Sequence, residues 1–159
     1  LILLEDGLFR GPGNRDVSFL SKEITVRSRS GDPGRCAIDC EGSAGEPHRG
    51  FLTGGGETSE TVLEAVTITR ACHVWGGGFL CNAPMTVRNC VFRNNTSPGS
   101  EGGGVCVGAG ALFDHCNFTE NQAVNGGGAM SMAFGDAPTF LGCTFTGNEA
   151  TLLGGGFRA

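Results

Sequence analysis

Features that mark several common protein classes are missing from this 159-residue sequence. No apolar run approaches the ~20 residues that a helix needs to cross a bilayer, so no membrane span is expected within it. There is no basic stripe, and 16 acidic against 11 basic residues give a formal net charge of −5. Nucleic acid and anionic membranes are therefore not expected as partners. Glycine occupies 29 positions, but the 6 prolines and the lack of a strict Gly-X-Y period exclude collagen.

The sequence also lacks the signature of helices. No window shows an apolar period of 3.6 over the ~10 residues that a helix usually needs. Short runs with period two alternate instead with turn residues, and the strongest of these runs is 62–69. We therefore expect an all-β protein.

A segment of nine residues occurs three times, at 87–95, 113–121 and 140–148, and a glycine triplet follows each copy. Each copy carries a cysteine, a phenylalanine two positions later and an asparagine three positions after that. The cysteines are 26 and then 27 positions apart (116 − 90 and 143 − 116). A self-similar period in this range is typical of a solenoid, in which each repeat packs on its neighbours.

Stacked repeats place identical residues above one another, which favours a parallel β-helix over a β-sandwich. We expect about five or six coils in one domain, with irregular coils over 1–61 and regular repeats over 62–159. The fold predicts a core ladder of cysteines and phenylalanines and a turn ladder of asparagines. The core ladder is Cys90, Cys116, Cys143, Phe92, Phe118 and Phe145, and the turn ladder is Asn95, Asn121 and Asn148.

The inward-facing pattern slips by one position between Val87 and Cys90, which predicts a corner of the coil there. The residues at this corner are Asn89, His115 and Gly142, with Ala65 as the odd member. The turn ladder marks a second corner, because asparagine tolerates left-handed backbone angles and can hydrogen-bond locally.

The eight cysteines divide into two groups. Those of the core ladder are expected to be buried free thiols that replace small apolar residues. The pairs Cys36–Cys40 and Cys72–Cys81 flank loops and are candidates for disulfides. Paired Cys-x2–4-Cys elements of a zinc site are missing, and no glycine triplet is followed by the Lys-Ser/Thr of a phosphate loop. The sequence therefore predicts no metal and no cofactor.

Each repeat combines Phe-x-x-Asn with a later Gly-Gly and a small or apolar residue, at 103–105, 127–129 and 155–157. This tandem pattern resembles the polymorphic outer membrane protein repeat of chlamydial surface proteins. The upstream segments 6–14 and 36–42 look like the lead-in coils of such proteins. The resemblance implies a right-handed, pectin-lyase-like parallel β-helix that serves as a surface stalk or adhesin. Since the last repeat has no cap, we also expect a segment of a longer protein.

Three charged residues are the only catalytic candidates. Glu64, Arg88 and Asp114 occupy the outward position two residues before the cysteine site of successive repeats. Stacked at strand spacing, they form an acid–base–acid ladder. In a carbohydrate-cleaving β-helix such groups bind calcium or act as acid and base. The alternative is a set of cross-strand ion pairs on a solvated face, and both interpretations stay open.

Other surface features suggest modification or binding. Asn94 and Asn117 begin glycosylation sequons, and Asn117 is expected to point outward. Trp75, the single tryptophan, either stacks on a sugar or covers the edge of the core. Thr-x-Thr at 67–69 and 144–146 resembles the array of ice-binding proteins, but the middle repeats do not continue it.

The function expected from the sequence is non-enzymatic. The chain would act as a rigid spacer or adhesin-like surface, extracellular or on the cell surface. Its partners would be a carbohydrate or protein ligand, bound by the loops at 27–35, 41–50 and 53–61, and the neighbouring repeats of the chain. A fragment of a carbohydrate-active enzyme, of the polysaccharide lyase or hydrolase kind, is the alternative, and an ice-binding β-solenoid is a remote one.

Overall fold

Short strands and tight corners wind this chain into a parallel β-solenoid of about six coils. The computed structural model describes residues 1–99, 101–133, 135 and 137–158, so the last residue of the predicted repeat region lies outside it. The predicted all-β fold is confirmed, because all pairings between strands are parallel and the one helical element described is a 3₁₀ turn at Pro12–Asn14. No helix in the described ranges is long and apolar enough to cross a membrane.

Three long sheets run along the solenoid, and the later coils add a short fourth sheet. Sheet I contains β1 (Ile2–Leu4), β4 (Thr25–Ser28), β7 (Val62–Glu64), β10 (Thr86–Arg88), β14 (Leu112–Asp114) and β18 (Thr139–Leu141). Sheet II contains β2 (Gly7–Phe9), β5 (Cys36–Asp39), β8 (Thr67–Thr69), β11 (Val91–Arg93), β15 (Asn117–Thr119) and β19 (Thr144–Thr146). Sheet III contains β3 (Val17–Ser18), β6 (Phe51–Leu52), β9 (Phe79–Cys81), β13 (Val105–Val107), β17 (Met130–Met132) and β21 (Phe157–Arg158). Sheet IV contains β12 (Thr96–Ser97), β16 (Gln122–Ala123) and β20 (Glu149–Ala150).

The phenylalanines of the core ladder stack inside the solenoid. Phe92 pairs with Phe118 in the next coil, and Phe118 pairs with Phe145. Their ring centroids lie 5.2 and 4.9 Å apart, with the rings almost parallel. Each ring therefore covers the next, and the core is continuous from coil to coil.

Burial of the core ladder changes at the last coil. Cys90 and Cys116 are fully buried, as are the two phenylalanines beside them. Cys143 is only half-buried and Phe145 is 39% exposed, which corrects the expectation that both are buried. The reason is that a coil covers them on one side only.

The corner between sheets I and II lies where the sequence predicts it. Its backbone is left-handed, with φ of 56° at Ala65, 49° at Asn89, 51° at His115 and 59° at Gly142. The second corner has the same conformation one position before the turn ladder, at Arg70, Asn94, Glu120 and Gly147. The asparagines themselves do not adopt the left-handed angle, which corrects one of the two physical reasons given for them.

The turn ladder is instead an internal chain of hydrogen bonds. Asn95 and Asn121 are fully buried. Asn121 Nδ2 donates to the Phe92 carbonyl at 2.8 Å, and Asn121 Oδ1 accepts the backbone N–H of Asn95 at 3.1 Å. Asn95 Nδ2 donates to Asn121 Oδ1 at 3.0 Å, and Asn121 Nδ2 donates to Asn148 Oδ1 at 2.9 Å. The amides thus satisfy backbone groups that the corner leaves without partners.

Glycine triplets bring the backbones of adjacent coils into direct contact before sheet III. A Cβ atom at Gly103 would lie 2.3 Å from the Gln122 carbonyl oxygen and 2.4 Å from that of Gly128. Glu101 bridges to Gly126, so the triplet 126–128 starts one position earlier in its coil than the triplet 102–104. Glycine is therefore required at the positions that pair between adjacent coils, where the backbones approach closely, and not at all three positions of each triplet.

The buried carboxylate of Glu57 holds the loop between β6 and β7 in place by hydrogen bonds. Glu57 is 2% exposed, and its oxygens accept backbone N–H groups of Ser21, Gly54 and Gly55 at 3.0 to 3.1 Å. Burial alone would raise the pKa of Glu57, but these hydrogen bonds outweigh burial and hold the pKa below its ordinary value. The ionised carboxylate therefore stabilises the folded loop.

We expect Glu57→Gln to lower the free energy of unfolding by about 1–2 kcal/mol at neutral pH. Hydrogen bonds to a charged group are each worth about 1.5–3 kcal/mol, and the glutamine amide keeps one of the two acceptor oxygens. Since the folded pKa is depressed, the carboxylate contributes stability above its ordinary pKa of 4.5, and this is lost as the pH falls through the folded value. We expect urea unfolding to show a difference in the free energy of unfolding between wild type and variant that is smaller at about pH 3 than at about pH 7. Glu60→Gln, exposed in the same loop, is the control. A gap independent of pH would contradict this role of Glu57.

Candidate functional site

The predicted catalytic residues lie in register on the outer side of sheet I. Arg88 pairs with Glu64 in one neighbouring coil and with Asp114 in the other. Within the described residues no ion pair joins the three, and the Asp114 carboxylate lies instead 2.6 Å from His115 Nδ1. No group of three His, Cys, Asp or Glu side chains in this part of the chain is arranged to hold a metal ion. The structure therefore brings the candidates into a ladder and not into a convergent cluster.

The residues noted for modification or ice binding differ in their access to solvent. Asn94 and Asn117 are both exposed, and Asn117 Oδ1 accepts the hydroxyl of Thr144. Thr67 and Thr69 are buried, and the Thr67 hydroxyl donates to the Pro33 carbonyl at 2.6 Å. A loop therefore covers the first Thr-x-Thr copy, and it offers no open array to ice.

All eight cysteines are free thiols, which corrects both predicted disulfides. Cys36 begins β5 and Cys40 directly follows it, so an extended strand separates them. At ~3.3 Å per residue their Cα atoms lie well beyond the ~7 Å limit of a disulfide. Cys72 bridges to Thr96 beside sheet IV, whereas Cys81 ends β9 in sheet III. The two partners of this second pair thus belong to different sheets.

A charged cluster that the sequence does not single out lies at the entry to sheet III. Arg49, in the loop before β6, is 5% exposed. Its backbone N–H donates to Asp16 Oδ1 at 2.9 Å, and His48 Nδ1 lies 2.6 Å from Asp16 Oδ2. The Arg49 guanidinium contacts His73 Nδ1 through Nη2, while Nη1 is buried without a hydrogen-bond partner among the described residues. Three successive coils contribute to this cluster.

The electrostatics of the cluster favour a neutral histidine beside a charged arginine. Burial lowers the pKa of His73, and the positive charge of Arg49 lowers it further. His73 is therefore neutral near pH 7, so its Nδ1 accepts from Arg49 and its Nε2 carries the proton. Burial also lowers the pKa of Arg49, although the guanidinium remains charged at neutral pH. The result is a buried cation whose nearest hydrogen-bond partner carries no charge.

Arg49 lines a cavity of about 260 Å³ on the outer side of sheet III. Its other lining residues are Trp75, Leu80, Asn82, Cys106 and Ala133. Leu80 and Cys106 pair in register on β9 and β13 and form the floor, while Trp75 is 42% exposed at the side. Burial raises the pKa of Cys106 to about 11, so this residue is a thiol and not a thiolate nucleophile at neutral pH. We name this site the Arg49 cavity.

Sequence reasoning identified two parts of the Arg49 cavity and missed its centre. The loop at 41–50 and the possibility of sugar stacking on Trp75 were both predicted. Arg49 was not, because an arginine in a polar loop is usually exposed and nothing in the sequence marks this one as buried. Only its burial, which the structure provides, distinguishes it.

Comparison with known proteins yields a negative result. No protein family, no curated protein and no solved structure matches this chain. What is shown is thus a parallel β-solenoid, and the resemblance to a particular family rests on the repeat residues alone.

Proposed function

We propose that this chain is a non-enzymatic segment of an extracellular or cell-surface protein, which acts as a rigid spacer with an adhesin-like binding surface. In this proposal the repeats are of the polymorphic outer membrane protein type, and the solenoid is right-handed and pectin-lyase-like. The tandem Phe-x-x-Asn and Gly-Gly pattern supports the kinship, and the parallel β-solenoid agrees with it.

The observation that carries the proposal is the unbroken register along the solenoid. Sheets I, II and III each continue through six strands, and the core and turn ladders link the regular coils from within. Buried polar groups that are fully hydrogen-bonded make a fold rigid and specific. A body of this kind holds a surface at a set distance and orientation, which is what a spacer or adhesin requires.

A fragment of a polysaccharide lyase or hydrolase is the competing function. Its support is the register of Glu64, Arg88 and Asp114 on one face. Acid–base catalysis needs groups within about 2.6–3.2 Å of the atoms they protonate or deprotonate, and usually an opposing pair around the scissile bond. A ladder along one sheet presents its groups side by side, which favours the non-enzymatic role.

Incubation of the purified chain with polyuronides separates the two functions. We expect no unsaturated products by ultraviolet absorbance and no new reducing ends, in the presence or absence of calcium. A Glu64→Gln, Asp114→Asn double variant is the matched control, since it removes both candidate carboxylates from partly buried, outward positions of sheet I. Cleavage by the wild type that this variant loses would overturn the non-enzymatic proposal.

A further inference from the structure

The contact between Arg49 and His73 depends on the protonation state of one imidazole ring. Nδ1 of the neutral ring accepts a hydrogen bond from the Arg49 guanidinium. A protonated imidazole donates from both nitrogens and accepts at neither. A proton on His73 would therefore remove the acceptor and place two positive charges in contact. Because Arg49 is 5% exposed, solvent and salt screen this repulsion only weakly.

The other titratable groups of the cluster do not balance a second positive charge. They come from three elements and from the neighbour of His73 in the chain, and they are Asp16 before β3, His48 before β6, Cys106 on β13 and Cys72. Burial raises the pKa of both cysteines, so both are neutral thiols. The Asp16 carboxylate already accepts the Arg49 backbone N–H and lies 2.6 Å from His48 Nδ1. From the following coil, Thr96 and Ser97 contribute hydroxyl groups, which carry no charge.

Arg49 is the only buried side chain of the loop 41–50, which connects β5 to β6. Residues 41–48 are exposed or half-buried, and Gly50 has no side chain. Backbone N–H groups of the loop donate to the next coil, from Gly42 to the Arg70 carbonyl and from His48 to the Cys72 carbonyl, at 2.8 and 2.9 Å. A segment with so little buried surface opens at a lower free energy than the core does. The loop is therefore sensitive to the loss of one side-chain contact.

We propose that the Arg49–His73 contact is a pH-sensitive switch, which holds the loop 41–50 against the solenoid at neutral pH and releases it when mild acid protonates His73. This inference goes beyond the proposed function and does not depend on it. Release exposes the Arg49 guanidinium to water and frees the loop from the coil that follows it.

The direction of the pH effect follows from the closed and the open form of the loop. In the closed form, burial and the charge of Arg49 lower the pKa of His73 from its ordinary value of 6.5. In the open form the ring returns towards that value, so the open form binds more protons below it. Closure is therefore fully favoured above about pH 6.5 and weakens as the pH falls below it, until the closed form is protonated as well.

Hydrogen exchange of the loop amides tests the switch. After correction for the intrinsic effect of pH, we expect exchange over 41–50 to be about tenfold faster at about pH 5 than at about pH 7.5. Corrected exchange over 112–123, in the regular coils, is expected not to change, which separates local release from a loss of global stability. Equal corrected exchange of the loop at both pH values in the wild type would overturn the proposal without any variant.

Substitutions assign the effect to one of the three histidines in the chain. His73→Gln keeps a side-chain acceptor for Arg49 but takes up no proton, so its corrected loop exchange is expected to agree within about twofold at the two pH values. The matched control is the His48→Gln, His115→Gln double variant, which leaves His73 as the only histidine and is expected to keep the increase of about tenfold. A pH effect that survives in His73→Gln, or one that disappears in the double variant, would contradict the switch. The double variant decides the question even if His73→Gln fails to fold.

Discussion

Asn121→Leu is expected to destabilise the solenoid by about 3–5 kcal/mol, because each buried polar group left without a partner costs about 1–3 kcal/mol. The side chain makes four hydrogen bonds in a fully buried position. Leucine fills a similar volume and removes all four. The Phe92 carbonyl and the Asn95 backbone N–H then lose the side chain that they bind. Asn95 Nδ2 keeps its bond to the Ile68 carbonyl, and Asn148 Oδ1 keeps the Asn121 backbone N–H.

Urea unfolding followed by circular dichroism measures this loss. The control is Asn117→Leu, which makes the same change at an exposed position of the same coil and is expected to cost less than about 1 kcal/mol. The slope of the free energy against urea concentration is expected to stay the same, since the surface exposed on unfolding hardly changes. If both variants lose stability equally, the turn ladder does not hold the coils together.

Gly103→Ala is expected to lower the free energy of unfolding by roughly 3 kcal/mol or to prevent folding, which lies at the upper end of the cost of overpacking. The added methyl group meets carbonyl oxygens of Gln122 and Gly128 at 2.3 and 2.4 Å. These are backbone atoms of the next coil, so no side chain can move aside. Relief requires the coils to separate, which breaks the hydrogen bond from the Gly103 N–H to the Gly127 carbonyl at 3.2 Å.

The control for this variant is Gly45→Ala. A Cβ atom at Gly45 meets nothing within 4 Å, and the residue lies in an exposed loop. Its expected effect is within about 0.5 kcal/mol. The melting temperatures of the two variants distinguish the effect of a clash between adjacent coils from the general effect of replacing glycine by alanine. Equal melting temperatures would mean that the coils tolerate a wider spacing at the triplet.

The repeat predicted most of the regular half of the solenoid. The stacking of Phe92 on Phe118 and the left-handed corner at Asn89 and His115 follow from the spacing of like residues. The disulfide predictions were wrong because they relied on the positions of the cysteines beside loops and did not consider the geometry of the strands. Cys36 and Cys40 stand at the two ends of one extended strand, where no bond can join them.

The turn ladder shows a prediction that was right in place and only partly right in mechanism. Asparagine was assigned to the second corner because it tolerates a left-handed backbone and can hydrogen-bond locally. The corner angle is instead taken by the preceding residue, for example Asn94 with φ of 54°. Asn95 turns inward to hydrogen-bond with its equivalents in adjacent coils. That role depends on neighbours one coil away, which a local propensity does not describe.

The period, the all-β class and the stacking of the regular coils were determined by the sequence itself. In a solenoid each coil pairs with the next through the same backbone hydrogen bonds, so a repeat in the sequence is directly a repeat in space. Only the tertiary structure decided the Arg49 cavity and the charged cluster around Arg49. Five successive coils contribute to them, through Asp16, Arg49, His73, Cys106 and Ala133. Most belong to loops that do not repeat, and burial of the Arg49 charge arises only when those loops pack together over sheet III.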